Sequence, residues 1–132
     1  MHINWESDYA VRLVQQLARI NKKTDAKTLA VLTDVSPRFT LKIMQKLVSG
    51  GIVQTFKGAQ GRYVLSRPAE EITLRQVIEA VEGPYRFSRC HEEGQGCNCS
   101  PQGGSCPFQS VFDDITRTVI DKMDKVTFDQ LI

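Results

Sequence analysis

The 132-residue sequence predicts a mostly α-helical protein with one small β-hairpin. Two observations lead to this expectation. Apolar residues recur at helical spacing in several separate segments, and two β-branched runs flank a short polar tip that contains glycine. With 41% hydrophobic and 24% charged residues, a chain of this length can enclose one core. We therefore expect one compact domain with an appendage.

Three helices are predicted in the first half of the chain. Residues 7–20 carry apolar side chains on one helical face, and residues 24–32 repeat the pattern on a smaller scale before a turn at 33–35. Ser36 and Pro37 start the third helix, because serine caps free backbone donors and proline at the first helical position has no donor to lose. Glycines 50 and 51 end it.

A hairpin follows, with strands expected at residues 52–56 and 63–65 and a tip at 57–62. The order helix, helix, turn, helix, hairpin is that of a winged helix-turn-helix. In that architecture the third helix enters the DNA major groove, and the hairpin tip lies along the backbone or a minor groove. Thr73 and Gln76 form a capping box for a further short helix.

The chain is expected to divide into three parts. Residues 1–83 form the winged helix-turn-helix DNA-binding domain, residues 84–108 a cysteine-rich loop, and residues 109–132 a last amphipathic helix and tail. The apolar positions of that helix favour packing against the same helix of a second chain, in a homodimer, over packing within one chain. They are Val111, Phe112, Ile115, Val119, Met123 and Val126.

Charge divides unevenly along the chain, although the net charge is only +2. Residues 1–75 contain twelve Lys and Arg against six Asp and Glu, which gives +6. Residues 76–132 contain five against nine, which gives −4. A basic half suits a polyanionic partner, although charge alone is equally consistent with two solvated faces of unequal composition. With the helix-turn-helix pattern, it favours double-stranded DNA as the partner.

Candidate DNA contacts come from the third helix and the hairpin tip. Side chains early on the helix reach base edges, whereas later ones and those of the tip suit phosphates. On the alternative interpretation, the apolar residues of this helix belong to the core and the lysines are merely exposed. The candidates are Ser36, Arg38, Phe39, Thr40, Lys42, Lys46, Lys57 and Arg62.

All four cysteines lie between residues 90 and 106, as Cys90, Cys97, Cys99 and Cys106, in a segment rich in glycine. Structural disulfides suit small secreted domains, and structural zinc sites usually show C-x2-C or C-x4-C pairs, neither of which is present here. A glycine-rich loop can wrap an iron-sulfur cluster without such pairs, so the spacing favours a cluster. Zinc, and bare thiols that react directly with oxidants, remain as alternatives.

No catalytic motif is found, so we expect no enzymatic activity. The only histidines, His2 and His91, are too few and too far apart for a histidine-based site. The start of the chain lacks the features of a secretory signal, and no apolar run is long enough to cross a membrane, so we expect a cytoplasmic protein without membrane contact. Two functions other than that of a cluster-dependent regulator stay open. They are a metal-free regulator that responds to thiol chemistry or a small molecule, and an iron-sulfur carrier that does not bind DNA.

Four stretches of the sequence resemble the Rrf2-type winged-helix transcription regulators, the family of the iron-sulfur sensors IscR and NsrR. They are residues 8–11, 36–47, 51–65 and 77–83. The most specific are residues 51–65, which contain the hairpin or wing, and residues 77–83 (VIEAVEG). The resemblance covers nearly the whole chain. It implies a homodimer on a palindromic operator, usually a repressor, whose cluster reports nitric oxide, oxidants or cluster supply.

The resemblance also implies a ligand set. The family usually has three cysteines, and the spacing from Cys99 to Cys106 fits its second and third ligands, which favours Cys90, Cys99 and Cys106 for a 2Fe-2S or 4Fe-4S cluster. Gln109 stands where the cluster regulator has its histidine ligand. Asp8 matches an aspartate that completes the site in some nitric-oxide sensors, from the partner chain. Asp8 and Cys97 therefore compete as the fourth ligand.

Overall fold

The computed structural model describes residues 2–58, 61–88 and 106–132, and these residues form five helices and a three-stranded sheet. This confirms the expected mostly α-helical class with a small β element. The helices are α1 (Trp5–Ile20), α2 (Ala26–Thr33), α3 (Pro37–Ser49), α4 (Leu74–Glu82) and α5 (Pro107–Asp124). The strands are β1 (Thr24–Asp25), β2 (Val53–Phe56) and β3 (Arg62–Leu65). Short 3-10 turns occur at Ala69–Glu71 and Phe128–Leu131.

Three helix starts differ from the sequence prediction. Helix α5 begins at Pro107, two residues before the expected residue 109. Helix α1 begins two residues earlier than expected, because the Asn4 side chain caps it by accepting a hydrogen bond from the Ser7 backbone N–H. Helix α2 begins two residues later. The prediction that Thr24 opens α2 is wrong: Thr24 lies in β1, and Asp25 caps the helix by accepting from Thr28 N–H at 2.6 Å.

The end of α3 needs both of its glycines, for different reasons. Gly51 has a φ of +75°, in the left-handed region that glycine adopts without strain. Gly50 has an ordinary φ but sits against α4, where an added Cβ would lie 2.7 Å from the Cβ of Ala80. The glycine at position 50 therefore permits close packing of α3 on α4.

The predicted hairpin is part of a larger antiparallel sheet with the strand order β1-β3-β2. Val53 pairs with Leu65 and Phe56 with Arg62 across the hairpin, while Asp25 pairs with Arg62 on the other side. Residues 59 and 60 of the tip lie outside the described residues. Strand β1, which the sequence did not predict, has only two residues, too few to show any periodicity in the sequence.

One core joins the helices, the sheet and the C-terminal tail. Fully buried side chains come from α1, α3 and α4, and Phe128 of the tail is buried among them. Backbone bonds hold the tail in place: Leu74 N–H donates to Val126 O at 2.9 Å, and Phe128 N–H donates to Ile72 O at 3.1 Å. The residues after α5 thus return to the core of the first part of the chain.

Helix α5 has two differently packed halves. Near its C-terminal end Met123 is buried, and Asp124 forms an ion pair with Arg75 of α4 at 3.0 Å. Near its start Phe108 and Val111 are exposed, to 65% and 54%. The helix ends at Asp124, so Val126 of the predicted apolar stripe lies beyond it.

Candidate nucleic-acid interface and cysteine segment

Helix α3 presents a continuous row of side chains to solvent. Arg38, Leu41, Lys42 and Gln45 are spaced three or four residues apart and are all exposed. The opposite face carries Ile43, Met44 and Leu47, which are fully buried. The helix therefore offers one polar and partly apolar face to a ligand while the other face anchors it in the core.

Ser36 and Thr40 serve the structure of this helix. The Ser36 hydroxyl caps α3 by accepting from Phe39 N–H at 3.3 Å, and the Thr40 hydroxyl donates to the Ser36 carbonyl at 3.0 Å. Thr40 is 0% exposed. The expectation that its side chain reaches a base edge is wrong, because Thr40 lies three and four residues before Ile43 and Met44 and so shares their buried face.

Leu41 and Gln45 were not among the sequence-based candidates. Leu41 is 48% exposed although it is apolar, and Gln45 lies seven residues after Arg38, on the same face. A glutamine side chain can pair with both hydrogen-bonding groups of an adenine edge, and an apolar side chain can contact a thymine methyl group. In the sequence they could have been found from the spacing of residues 40, 43, 44 and 47. These residues form the buried face of the helix, so residues 41 and 45 must lie on the exposed face.

The two lysines of α3 share one carboxylate. Glu6, in the first turn of α1, accepts hydrogen bonds from Lys42 Nζ at 2.6 Å and from Lys46 Nζ at 2.5 Å. These bonds hold the pKa of Glu6 below its usual value, the bond from Lys42 having the larger effect. The carboxylate stays ionised and neutralises part of the positive charge of α3.

Aromatic side chains line the same side of α3. The Phe39 ring, 47% exposed, meets Tyr9 of α1 edge-on at a centroid distance of 6.3 Å, and Tyr9 is 6.0 Å from Trp5. Phe39 is thus partly engaged with α1 and partly open to solvent. It lies at the margin of the exposed row rather than in its centre.

The wing carries exposed cations at both ends of its tip. Lys57 and Arg62 are exposed. Lys23, which the sequence did not single out, places its Nζ 3.9 Å above the ring of Phe56. Arg62 also acts on Asp25, whose pKa is lowered chiefly by the backbone hydrogen bond from Thr28 and further by the charge of Arg62.

Of the proposed metal ligands, the structure describes only Cys106 and Asp8; Cys90, Cys97 and Cys99 lie outside the described residues. Cys106 is a half-buried free thiol at the start of α5, where helix N–H groups favour negative charge. The Asp8 carboxylate pairs with Arg12 at 2.7 Å. Within the described ranges no three His, Cys, Asp or Glu side chains gather as a metal site would require.

A cleft of about 730 Å³ opens between α4, α5 and the N-terminal residues. Its apolar walls include Ile3, Ile78, Val119 and Met123, and side chains of both charges, Glu82 and Arg86, also line it. It adjoins the end of α4, from which the chain runs into the cysteine segment. In residues 2–58, 61–88 and 106–132, no helix combines the length and apolarity needed to span a bilayer.

Comparison with known proteins places the chain in a family. The model of the Rrf2 family, described as iron-dependent transcriptional regulators, matches residues 3–132. The chain is 30% identical to Protein aau3 of Rhizobium meliloti over 133 residues. The alignment covers all of this chain and 85% of that protein. It is 26% identical to the regulator IscR of Klebsiella pneumoniae over 136 residues. That alignment covers all of this chain and 80% of IscR.

Solved structures confirm the fold. CymR, described as the global cysteine regulator of B. subtilis, superposes with a TM-score of 0.79 at 21% identity, covering 99% of this chain and 95% of CymR. IscR of T. potens gives 0.78 at 20% identity, covering 99% of this chain and 85% of IscR. This chain therefore belongs to the Rrf2 family and is a DNA-binding winged-helix transcriptional regulator, not an enzyme.

Proposed function

We propose that this regulator is a repressor that senses nitric oxide, redox state or iron-sulfur supply through an iron-sulfur cluster held by Cys90, Cys99 and Cys106. The observation that carries the proposal is the confinement of every cysteine to residues 90–106 in a glycine-rich segment. The position of Cys106 at the start of α5 supports it, since the backbone N–H groups of a helix start would favour a negatively charged cluster bound there.

The fourth ligand is proposed to be either Asp8 or Cys97. The Asp8 carboxylate pairs with Arg12, which would have to release it for a metal. A carboxylate ligand is weakly held and exchangeable, which suits a sensor. Four thiolates would hold the cluster more firmly and lower its potential.

For the operator, we assign base reading to the exposed row Arg38, Leu41, Lys42 and Gln45. An arginine fork reads guanine and a glutamine amide reads adenine. Lys46, Lys57 and Arg62 are assigned to phosphates, with Phe39 and Ser36 at the margin of the contact. Among the candidates predicted from sequence, Thr40 alone is withdrawn, because its side chain is buried.

A homodimer is proposed to form through the N-terminal half of α5. Phe108 and Val111 expose large apolar surfaces there, while the C-terminal half of the helix is already packed against α4 of its own chain. A symmetric pair of such helices would place two winged domains on the two halves of a palindrome.

The test is anaerobic purification followed by iron, sulfide and zinc analysis and a visible spectrum. We expect a brown protein whose colour bleaches with nitric oxide; a colourless protein with one zinc per chain would contradict the cluster. Serine substitutions of Cys90, Cys99 and Cys106 should each abolish the colour. Cys97→Ser and Asp8→Asn form the matched pair: the one that alters the spectrum identifies the fourth ligand.

A second candidate is a metal-free regulator that responds to thiol chemistry or to a small molecule. The cleft of about 730 Å³ beside the cysteine segment favours it, since its volume suits a metabolite. CymR, a protein of similar structure to this chain, is described as a cysteine regulator. In this case the anaerobic protein is colourless and metal-free, and operator affinity responds to a thiol oxidant or to an added metabolite.

A further inference from the structure

Glu6 lies where α1 meets the DNA-facing helix and contacts two residues of the proposed interface. Its carboxylate oxygens bind separate ammonium groups, Oε1 that of Lys42 and Oε2 that of Lys46. The lysines are one helical turn apart, so a single carboxylate reaches both. The side chains of Lys42 and Lys46 remain 53% and 38% exposed, and Lys46 Nζ also donates to the Val81 carbonyl at 3.5 Å.

On DNA of arbitrary sequence no base is read, so Lys42 as well as Lys46 can turn to the phosphates. We infer that Glu6 acts as an internal competitor of the DNA phosphates for Lys42 and Lys46 in such complexes, and thereby limits sequence-independent binding. A carboxylate with two oxygens on two ammonium groups resembles a phosphate in charge and hydrogen bonding. A phosphate can take these lysines only when Glu6 releases them. The inference rests on the proposed interface, because it assumes that α3 faces the DNA.

The location of Glu6 explains why it is available for this contact. It stands in the first turn of α1, where helix N–H groups favour an acidic side chain. The next residue, Ser7, is fully buried, and its hydroxyl donates to the carboxylate of Glu82 on α4. The start of α1 is thus fixed to the core, which holds Glu6 beside α3 in the folded protein.

The consequence concerns the salt dependence of binding. Each lysine that neutralises a phosphate of B-DNA releases about 0.9 of a counterion, and this release sets the slope of log affinity against log salt. A carboxylate that loses its lysines on binding attracts cations back and adds its own repulsion of the phosphates. Removing the charge of Glu6 should therefore strengthen binding and steepen the salt slope.

The test compares the full-length wild-type protein with Glu6→Gln on a labelled DNA duplex of arbitrary sequence, titrated over a range of salt concentrations. We expect Glu6→Gln to bind about threefold to tenfold more tightly near 0.1 M salt, with a slope steeper by about 1 to 2. Glu71→Gln is the matched control. Glu71 is exposed on a 3-10 turn, and its substitution removes the same charge as Glu6→Gln. Thermal unfolding verifies that both variants are folded.

Lys42→Ala/Lys46→Ala, made in both backgrounds, separates the inference from the interface on which it rests. We expect the lysine pair to contribute more to affinity in the Glu6→Gln background than in the wild type. An equal contribution in both, an unchanged slope for Glu6→Gln, or the same gain from Glu71→Gln would overturn the role of Glu6 and leave the interface intact. No lysine effect in either background would overturn the assignment of the lysines, and the inference with it.

Discussion

Replacing Phe128 with alanine is the most direct test of how the C-terminal tail is held. The ring is 0% exposed, and burying a phenylalanine side chain removes about 150 Å² or more from water. At about 25 cal/mol per Å² this area corresponds to about 4 kcal/mol, of which alanine retains a part, whereas the cavity left behind adds to the loss. Two backbone bonds, from Leu74 to Val126 and from Phe128 to Ile72, hold the tail in place, so the resulting cavity cannot close fully.

We therefore expect Phe128→Ala to lower the free energy of unfolding by about 4 kcal/mol, a large share of the 5–15 kcal/mol typical of a domain. In thermal denaturation this corresponds to a drop in Tm of roughly 10–20 °C. Phe108→Ala is the matched control, since that ring is 65% exposed in the single chain. Losses of similar size for Phe128→Ala and Phe108→Ala at low protein concentration, or a Phe128→Ala loss below about 1 kcal/mol, would refute the core position of the tail.

Three further predictions concern the DNA interface and its support. Arg38→Ala should reduce discrimination at particular operator bases by about 1–3 kcal/mol, whereas Lys57→Ala should weaken binding to all sequences alike; equal, sequence-independent losses in a binding assay would contradict the groove assignment. If Leu41 contacts a thymine methyl group, replacing that thymine with uracil should cost about 0.8 kcal/mol in the wild type and nothing in Leu41→Ala, as measured by operator titration. Gly50→Ala should destabilise the protein by about 1–3 kcal/mol in chemical denaturation, because the new Cβ would lie 2.7 Å from the Cβ of Ala80; an unchanged midpoint would show that the two helices separate easily.

The elements that sequence reasoning located are those defined by local chemistry. The Ser36 cap of α3 and the capping box of Thr73 and Gln76 lie where the sequence predicts them, because each depends on residues three positions apart. The two-residue strand β1 was missed, since its partner Arg62 lies far along the chain. The burial of Phe128 was missed for the same reason: its neighbours in the core are distant in sequence.

In the proposed DNA interface, too, the sequence predicts what depends on neighbouring residues and misses what depends on distant contacts. The helix and its basic side chains followed from the pattern, but the assignment of Thr40 to the exposed face did not survive, because the register depends on which residues meet the core. Leu41 and Gln45 become visible only once that register is known. Glu6 is separated from Lys42 by 36 residues, and no local signal in the sequence connects them.

Helix α4 lies against α3, the proposed DNA-facing helix, with little space between them, and the cysteine segment follows α4 in the sequence. Ala80 touches Gly50 at the end of α3, and Glu82 accepts the hydrogen bond of Ser7 on α1, shortly before the chain enters the cysteine segment. A junction too tight for one added methyl group transmits a displacement instead of absorbing it. If the proposed cluster controls operator binding, we expect Ala80→Gly, which opens the junction, to reduce the change in operator affinity on cluster loss while leaving the visible spectrum intact. An unchanged ratio of affinities with and without the cluster would show that the signal reaches α3 by another route, with contact between the paired α5 helices of a dimer the first alternative.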